Sequence, residues 1–183
     1  MRRIASSFTS FRWRQMSRAA IIPQAMASPC SNARYPLAAS IRIKAEVVSL
    51  DEREFGVRMF LNFGHTIGHA IEAASGYRTL LHGEAVAWGM IAALYISHQR
   101  NLVTAEAVRR IEGLIGYFQP PALPHVSGKR LLQAASGDKK NRAGVRRFVL
   151  LQGLGNAVVA EDVTDTEVLA AIEAMYCLSA GGK

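Results

Sequence analysis

The stretch Leu61–Glu72, LNFGHTIGHAIE, sets His65 and His69 four residues apart and Glu72 three residues further on. On a helix those three positions fall on one face. The wider run 60–76 reads as a helix, with Gly76 placed where a helix is ended by glycine. A third histidine, His82, lies in the stretch LHGEAV just downstream.

Two histidines one turn apart can share a metal, as in the HExxH motif. Here the residues between them are Thr66, Ile67 and Gly68, so that motif's general-base glutamate is missing. Catalytic zinc takes three protein ligands and keeps a fourth position open. His65, His69 and His82 could supply three, or two joined by an outside carboxylate. Glu84, two residues after His82, is expected to orient an imidazole from behind. Spacing alone leaves the other reading open, in which the histidines are satisfied by hydrogen bonds within a helix pair. His98 and His125 have no clustered partners and read as ordinary histidines.

Outward from this stretch, the pattern is mainly helical. The run 37–52 places apolar residues at 37, 41, 43, 47, 48 and 50, which predicts an amphipathic helix. The segment around Gly56 reads as a loop. A long helix is expected from His82 to about Asn101. Another follows Thr104 as N-cap, with Ala107, Ile111, Leu114 and Ile115 on one face. The prolines of QPPALP, 119–124, break the chain. A short helix is expected over 127–137, a hairpin of two strands over 146–163, and a closing helix capped by Thr164 or Asp165. GLGN, 153–156, lacks the third glycine of a dinucleotide fingerprint and suits a hairpin turn.

A second constellation is cationic. Lys44, Arg58 and Asn62 precede the first histidine, and SGDKKN places Lys139 and Lys140 ahead of a strand. Cations converging beside a metal would suit a small anionic substrate, because arginine binds carboxylate or phosphate in bidentate fashion and lysine adds a point charge. Taken singly, each also reads as a solvated surface charge.

The net charge of +8 is unevenly spread: residues 1–42 hold seven arginines and no acid, and the remainder holds 15 basic and 14 acidic side chains. The basic balance thus describes a tail, and the near-neutral body gives no reason to expect a nucleic-acid partner. Residues 1–36, rich in Arg and Ser, read as an unstructured tail, a misplaced start, or a transit peptide. The body is then residues 37–183. Two cysteines, Cys30 and Cys177, make no disulfide framework, and a reducing compartment is the simpler setting. The cytoplasm is the expected location, or a plastid or other organelle if the tail is a transit peptide. The longest apolar run, residues 85–96, is too short to span a bilayer, so no membrane partner is expected.

Three stretches together resemble a known family: KAEVVSLDEREFGVRMFLNFGHTIGHAIE (44–72), LHGEAVAWGM (81–90) and DKKNRAGVRRFVLLQGLG (138–155) are similar to 3-dehydroquinate synthase. The resemblance runs from about Leu37 to Ala174. It implies a multi-helix C-terminal domain of the dehydroquinate synthase-like fold with a small β-hairpin. It also implies a lyase dependent on zinc, or another divalent metal, and on NAD. That lyase turns 3-deoxy-D-arabino-heptulosonate 7-phosphate into 3-dehydroquinate and phosphate, in the pathway to aromatic amino acids. The implied steps are transient oxidation of a hydroxyl, loss of phosphate, re-reduction, ring opening and aldol closure.

By the same resemblance His65 and His82 are metal ligands, and His69 lies beside the phosphate as a candidate for proton transfer. Lys44, Arg58 and Asn62 hold the substrate's carboxylate and hydroxyls, and Lys44 is, with His69, a candidate catalytic residue. One of Lys139 and Lys140, with Lys140 favoured, contacts phosphate. The family's NAD domain and its third metal ligand, a glutamate, lie N-terminal to the matching region, and residues 1–36 match neither. The expectation is therefore a C-terminal fragment, inactive alone, and a homodimer if it keeps the family's assembly. Other readings are a non-catalytic remnant that binds metal or a partner, and a neighbouring cyclase such as 2-deoxy-scyllo-inosose synthase. Arg58 and Asn62 favour the carboxylate-bearing substrate.

Overall fold

The histidine stretch folds as one arm of an antiparallel helix pair. α2 (His65–Ala74) and α3 (His82–Gln99) pack face to face, and glycines set how closely. A Cβ on Gly89 of α3 would fall 2.0 Å from the Gly64 carbonyl oxygen and 2.7 Å from the Gly68 amide. On the other arm, a Cβ on Gly68 would lie 3.0 Å from the Val86 Cα. Only hydrogen fits at such a crossing, so the two backbones touch.

The computed structural model describes residues 11–12, 34–53, 56–137 and 146–181. Ahead of the pair, α1 (Arg34–Leu50) packs on a 3-10 turn (Val57–Asn62) that leads into α2. Behind it come α4 (Ala105–Gly116), α5 (Gly128–Ser136), strands β2 (Phe148–Leu151) and β3 (Asn156–Ala160), and the closing α6 (Asp165–Gly181). α5 lies against α2, and α6 lies against α3 and α5. The expected class, mainly helical with a small antiparallel sheet, is what the chain adopts.

Caps follow the sequence closely. The Thr104 hydroxyl accepts from the Ala107 amide at 3.2 Å, and Ser127 caps α5 in the same manner. At α6, the Glu167 carboxylate takes the Thr164 amide at 2.8 Å while the Thr164 hydroxyl accepts the Glu167 amide at 3.3 Å, a reciprocal capping box. β2 and β3 pair antiparallel with Phe148 opposite Ala160 and Leu151 opposite Ala157. Gly153 and Gly155, both near φ +80°, turn the chain between them. A third strand, β1 (Phe11–Arg12), lies along the other edge of β3, with Phe11 opposite Ala157. It comes from the stretch set apart as a tail, where no strand was expected.

Three expectations need correction. The helix expected over 60–76 begins only at His65, because Gly64 adopts φ +81° and the residues before it tighten into the 3-10 turn. The loop read over 53–59 gives way at Val57 to that turn, with Gly56 still non-helical before it. Leu114 does not join the apolar face of α4: it is 61% exposed, while Ala107 and Val108 are buried.

Among the described residues, the larger of two buried clusters joins α2, α3, α5 and α6 to the sheet: Ile67 and Ile71 of α2, Ile91 and Ile96 of α3, Leu131 of α5, Phe148 and Leu150 of β2, and Ile172 and Met175 of α6. Within it Ser97 is fully buried. Its hydroxyl donates to the Ala93 carbonyl at 2.8 Å and accepts the Leu151 amide at 3.0 Å, tying α3 to β2. The proline segment is strapped down by side chains: Trp88 donates to the Pro121 carbonyl at 2.8 Å, and Tyr176 donates to that of Pro124 at 3.1 Å. Among the described residues, no helix is long and apolar enough to cross a membrane.

Candidate metal centre

The crossing of α2 and α3 decides which side chains meet. Gly64 lies against Met90, Gly68 against Val86, and Glu72 against His82, each a step of four along α2 and four back along α3. That register carries the start of α3 to the far end of α2. His65, His69 and His82 thereby come together: their ring centroids are 5.5 Å apart for 65 and 69, 5.4 Å for 65 and 82, and 5.7 Å for 69 and 82. Residues dispersed over 18 positions of sequence form one cluster.

Glu72 completes the cluster. His82 Nδ1 lies 3.1 Å from Glu72 Oε1 and 3.2 Å from Oε2. The tightest set of donor atoms among the described residues is His69, Glu72 and His82, all within 4.8 Å of one another. His65 Nδ1 stands 3.4 Å from the Phe63 carbonyl oxygen. Imidazoles and a carboxylate at such spacing fit a borderline divalent cation such as zinc or cobalt.

Glu84 does not orient an imidazole, contrary to the sequence expectation. Its carboxylate accepts the Leu81 amide at 2.7 Å and so caps α3. Glu72 stands where Glu84 was expected. Its place three residues after His69, on the histidine face, was the signal for it.

The cationic residues sit on different elements. Lys44 is exposed on α1. Arg58 and Asn62 lie on the 3-10 turn, where the Arg58 guanidinium donates to the Glu52 carbonyl at 2.7 Å and the Asp51 carboxylate accepts the Gly56 and Arg58 amides. Lys139 and Lys140 lie outside the described residues. The flanks of their segment both reach α2: α5 packs on it, and the Thr66 hydroxyl donates to the Arg147 carbonyl at 2.7 Å. His98 Nδ1 pairs with the Val103 carbonyl at 3.1 Å, and His125 is exposed, in line with their ordinary reading.

At the opposite end of α3, a clamp fixes α6. Arg100 donates to both Glu167 oxygens, at 2.6 and 2.9 Å, and to Asp162 at 2.7 Å. That guanidinium, helped by Thr164, holds the Glu167 carboxyl down at about 2. Burial, and then Glu112, push the Tyr95 hydroxyl above its ordinary range.

The model of the 3-dehydroquinate synthase C-terminal family matches residues 8–141. This chain belongs to that family. The matched span begins within the stretch read as a tail. A 3-dehydroquinate synthase of Koribacter versatilis is 46% identical over 140 residues, 76% of this chain and 38% of that protein. One of Dichelobacter nodosus is 47% identical over 135 residues, 73% of this chain and 37% of that protein. The chain thus spans well under half the length of these 3-dehydroquinate synthases. Among solved structures, it is similar to a 2-epi-5-epi-valiolone synthase of Streptomyces hygroscopicus subsp. jinggangensis with NAD+ and Zn2+ bound. The TM-score is 0.68 at 27% identity, over 81% of this chain and 41% of that one. A 2-deoxy-scyllo-inosose synthase complexed with carbaglucose-6-phosphate, NAD+ and Co2+ gives 0.66 at 27% identity, over 77% of this chain and 40% of that one.

Proposed function

We propose that this chain is the helical, metal-binding part of a 3-dehydroquinate synthase, the lyase that converts 3-deoxy-D-arabino-heptulosonate 7-phosphate to 3-dehydroquinate and phosphate. The observation that carries the proposal is the meeting of His65, His69, His82 and Glu72 at one helix crossing, in a chain 46% identical to a protein of that name. That identity stands well above the 27% shared with the inosose cyclase, which favours the heptulosonate over glucose 6-phosphate as substrate.

In this proposal His65 and His82 would hold a divalent cation, which when bound would supply Lewis-acid polarisation of a substrate hydroxyl for oxidation by NAD. His69, in contact with both other rings, is placed to move a proton near the phosphate. Lys44, Arg58 and Asn62 hold the carboxylate and hydroxyls, and Lys139 or Lys140 holds the phosphate. Cations converging on a multiply anionic substrate would orient it. The NAD site and a further carboxylate ligand belong to the length of the relatives that this sequence does not span, so the chain alone is expected to be inactive. A homodimer is part of the same proposal.

The test is phosphate release from the heptulosonate with zinc and NAD, for this chain alone and mixed with a separately produced N-terminal half of a relative. Turnover only in the mixture, lost in His65→Ala, is the expected result. Preferential turnover of glucose 6-phosphate would reassign the substrate. Silence both alone and in the mixture would favour a non-catalytic remnant.

A further inference from the structure

We infer that Glu72 is a positioning residue: it holds the His82 ring as the Nδ1–H tautomer and so reserves Nε2, with its lone pair, for a cation shared with the neighbouring imidazoles. The inference deepens the metal-site proposal and rests on it for its functional consequence.

The geometry is specific. Both Glu72 oxygens lie within 3.2 Å of the same ring nitrogen. An ionised carboxylate only accepts, so the nitrogen facing it must carry the proton. In the neutral ring the other nitrogen then has the lone pair, which metal ligation requires. The two partners are also unequal. The Glu72 side chain is 12% exposed and the His82 side chain 56%. The less exposed carboxylate, on a helix interior, is the fixed member. His82, at the first position of α3, is the ring that would otherwise turn in solvent.

The helix crossing that brings the imidazoles together is also what supplies Glu72. One turn separates the Glu72–His82 pair from the Gly68–Val86 contact. Loss of a carboxylate behind a ligating histidine typically costs about 10–100-fold in metal affinity. Glu84, the other acid near His82, is spent on the helix cap at Leu81 and does not compete.

Glu72 could instead ligate the cation itself, and the substitutions separate the two roles. Glu72→Gln keeps a carbonyl oxygen that accepts from Nδ1–H but removes the anionic ligand. Glu72→Ala removes both. The imidazole tautomers are read by nitrogen-15 NMR on the metal-free chain at about pH 8, above the ordinary imidazole range. Co2+ affinity is then measured by titration, with amide spectra checking that each variant is folded.

The expected result is Nδ1–H at His82 in the parent chain and in Glu72→Gln, and loss of that preference in Glu72→Ala. Co2+ should bind about 10–100-fold more weakly to Glu72→Ala, with a smaller loss for Glu72→Gln. An unchanged tautomer in Glu72→Ala would overturn the inference, as would Nε2–H at His82 in the parent. A loss in Glu72→Gln as large as in Glu72→Ala would make Glu72 a ligand instead. His82→Ala serves as the control. If the parent binds Co2+ no better than His82→Ala, the metal-site proposal fails, and the tautomer in the metal-free chain decides the role of Glu72 by itself.

Discussion

The α2–α3 crossing, which gathers the histidines, and α1, which bears Lys44, are built differently. At the crossing, backbone lies against backbone, and three imidazoles and a carboxylate are placed by one helix register. α1, with Lys44, buries Val47 but leaves Ile41 60% and Leu50 63% exposed. The histidine cluster is thus fixed by contacts within the chain. Lys44, by contrast, stands on a helix whose described residues leave Ile41 and Leu50 largely uncovered. Ligand geometry should therefore resist perturbation more than the cation arrangement does.

The strongest way to break this contrast is at Gly89. In Gly89→Ala the new methyl meets the Gly64 carbonyl and the Gly68 amide, neither of which is a side chain that can swing away. α2 and α3 must separate, at a cost of about 3 kcal/mol or more. Urea unfolding measures the loss. Any folded population should bind Co2+ poorly, because separation of the helices parts His82 from His65 and His69.

Next in size is the clamp that anchors the far end of α3. Arg100→Met leaves the Glu167 carboxylate without its bidentate partner and should cost about 2–3 kcal/mol. The pH dependence has a definite sign. Glu167 is held at about 2 against an ordinary value of 4.5, so its contribution is complete above the ordinary value and fades as pH falls toward 2. Urea midpoints between pH 6 and about 2 should fall more steeply for the parent than for Arg100→Met. Parallel curves would show that the clamp is not the source of acid sensitivity.

The third test compares two histidines of the same fold. His65→Ala should weaken Co2+ binding about 10-fold or more, whereas His98→Ala should leave it unchanged. His98 pairs with the Val103 carbonyl at the end of α3, so its loss should appear as about 1 kcal/mol of stability. Calorimetry and urea unfolding on both variants give the two readouts. Equal Co2+ affinities would remove His65 from the ligand set.

The sequence was most legible where local chemistry decides structure. Thr104 and Thr164 cap helices because their hydroxyls reach amides three residues on. The glycines at 153 and 155 turn the hairpin because they accept positive φ. It was least legible where tertiary register decides. Glu72 and Glu84 both lie close to His82 in sequence, and only the α2–α3 crossing assigns one to the imidazole and the other to the helix cap. The same limit hid the left-handed start of α2 at Gly64, which serves an approach to Met90 and Val86 that no local pattern announces. Leu114 sits at helical spacing from Ile111 and still faces outward, since periodicity names a stripe and not what covers it.

The smallest expected effects test the other side of the contrast. Ile41→Gln and Leu50→Gln on α1 remove apolar groups that are already more than half exposed, so each should change stability by less than about 0.5 kcal/mol. Val47→Ala, on the same helix but with no exposed surface, should cost about 2 kcal/mol through lost burial and the cavity left behind. The difference is read in urea midpoints of the three variants. If Ile41→Gln or Leu50→Gln costs as much as Val47→Ala, the exposed face of α1 is covered in solution. Lys44 would then stand on an element as firmly seated as the histidines, and the contrast between the crossing and α1 would disappear.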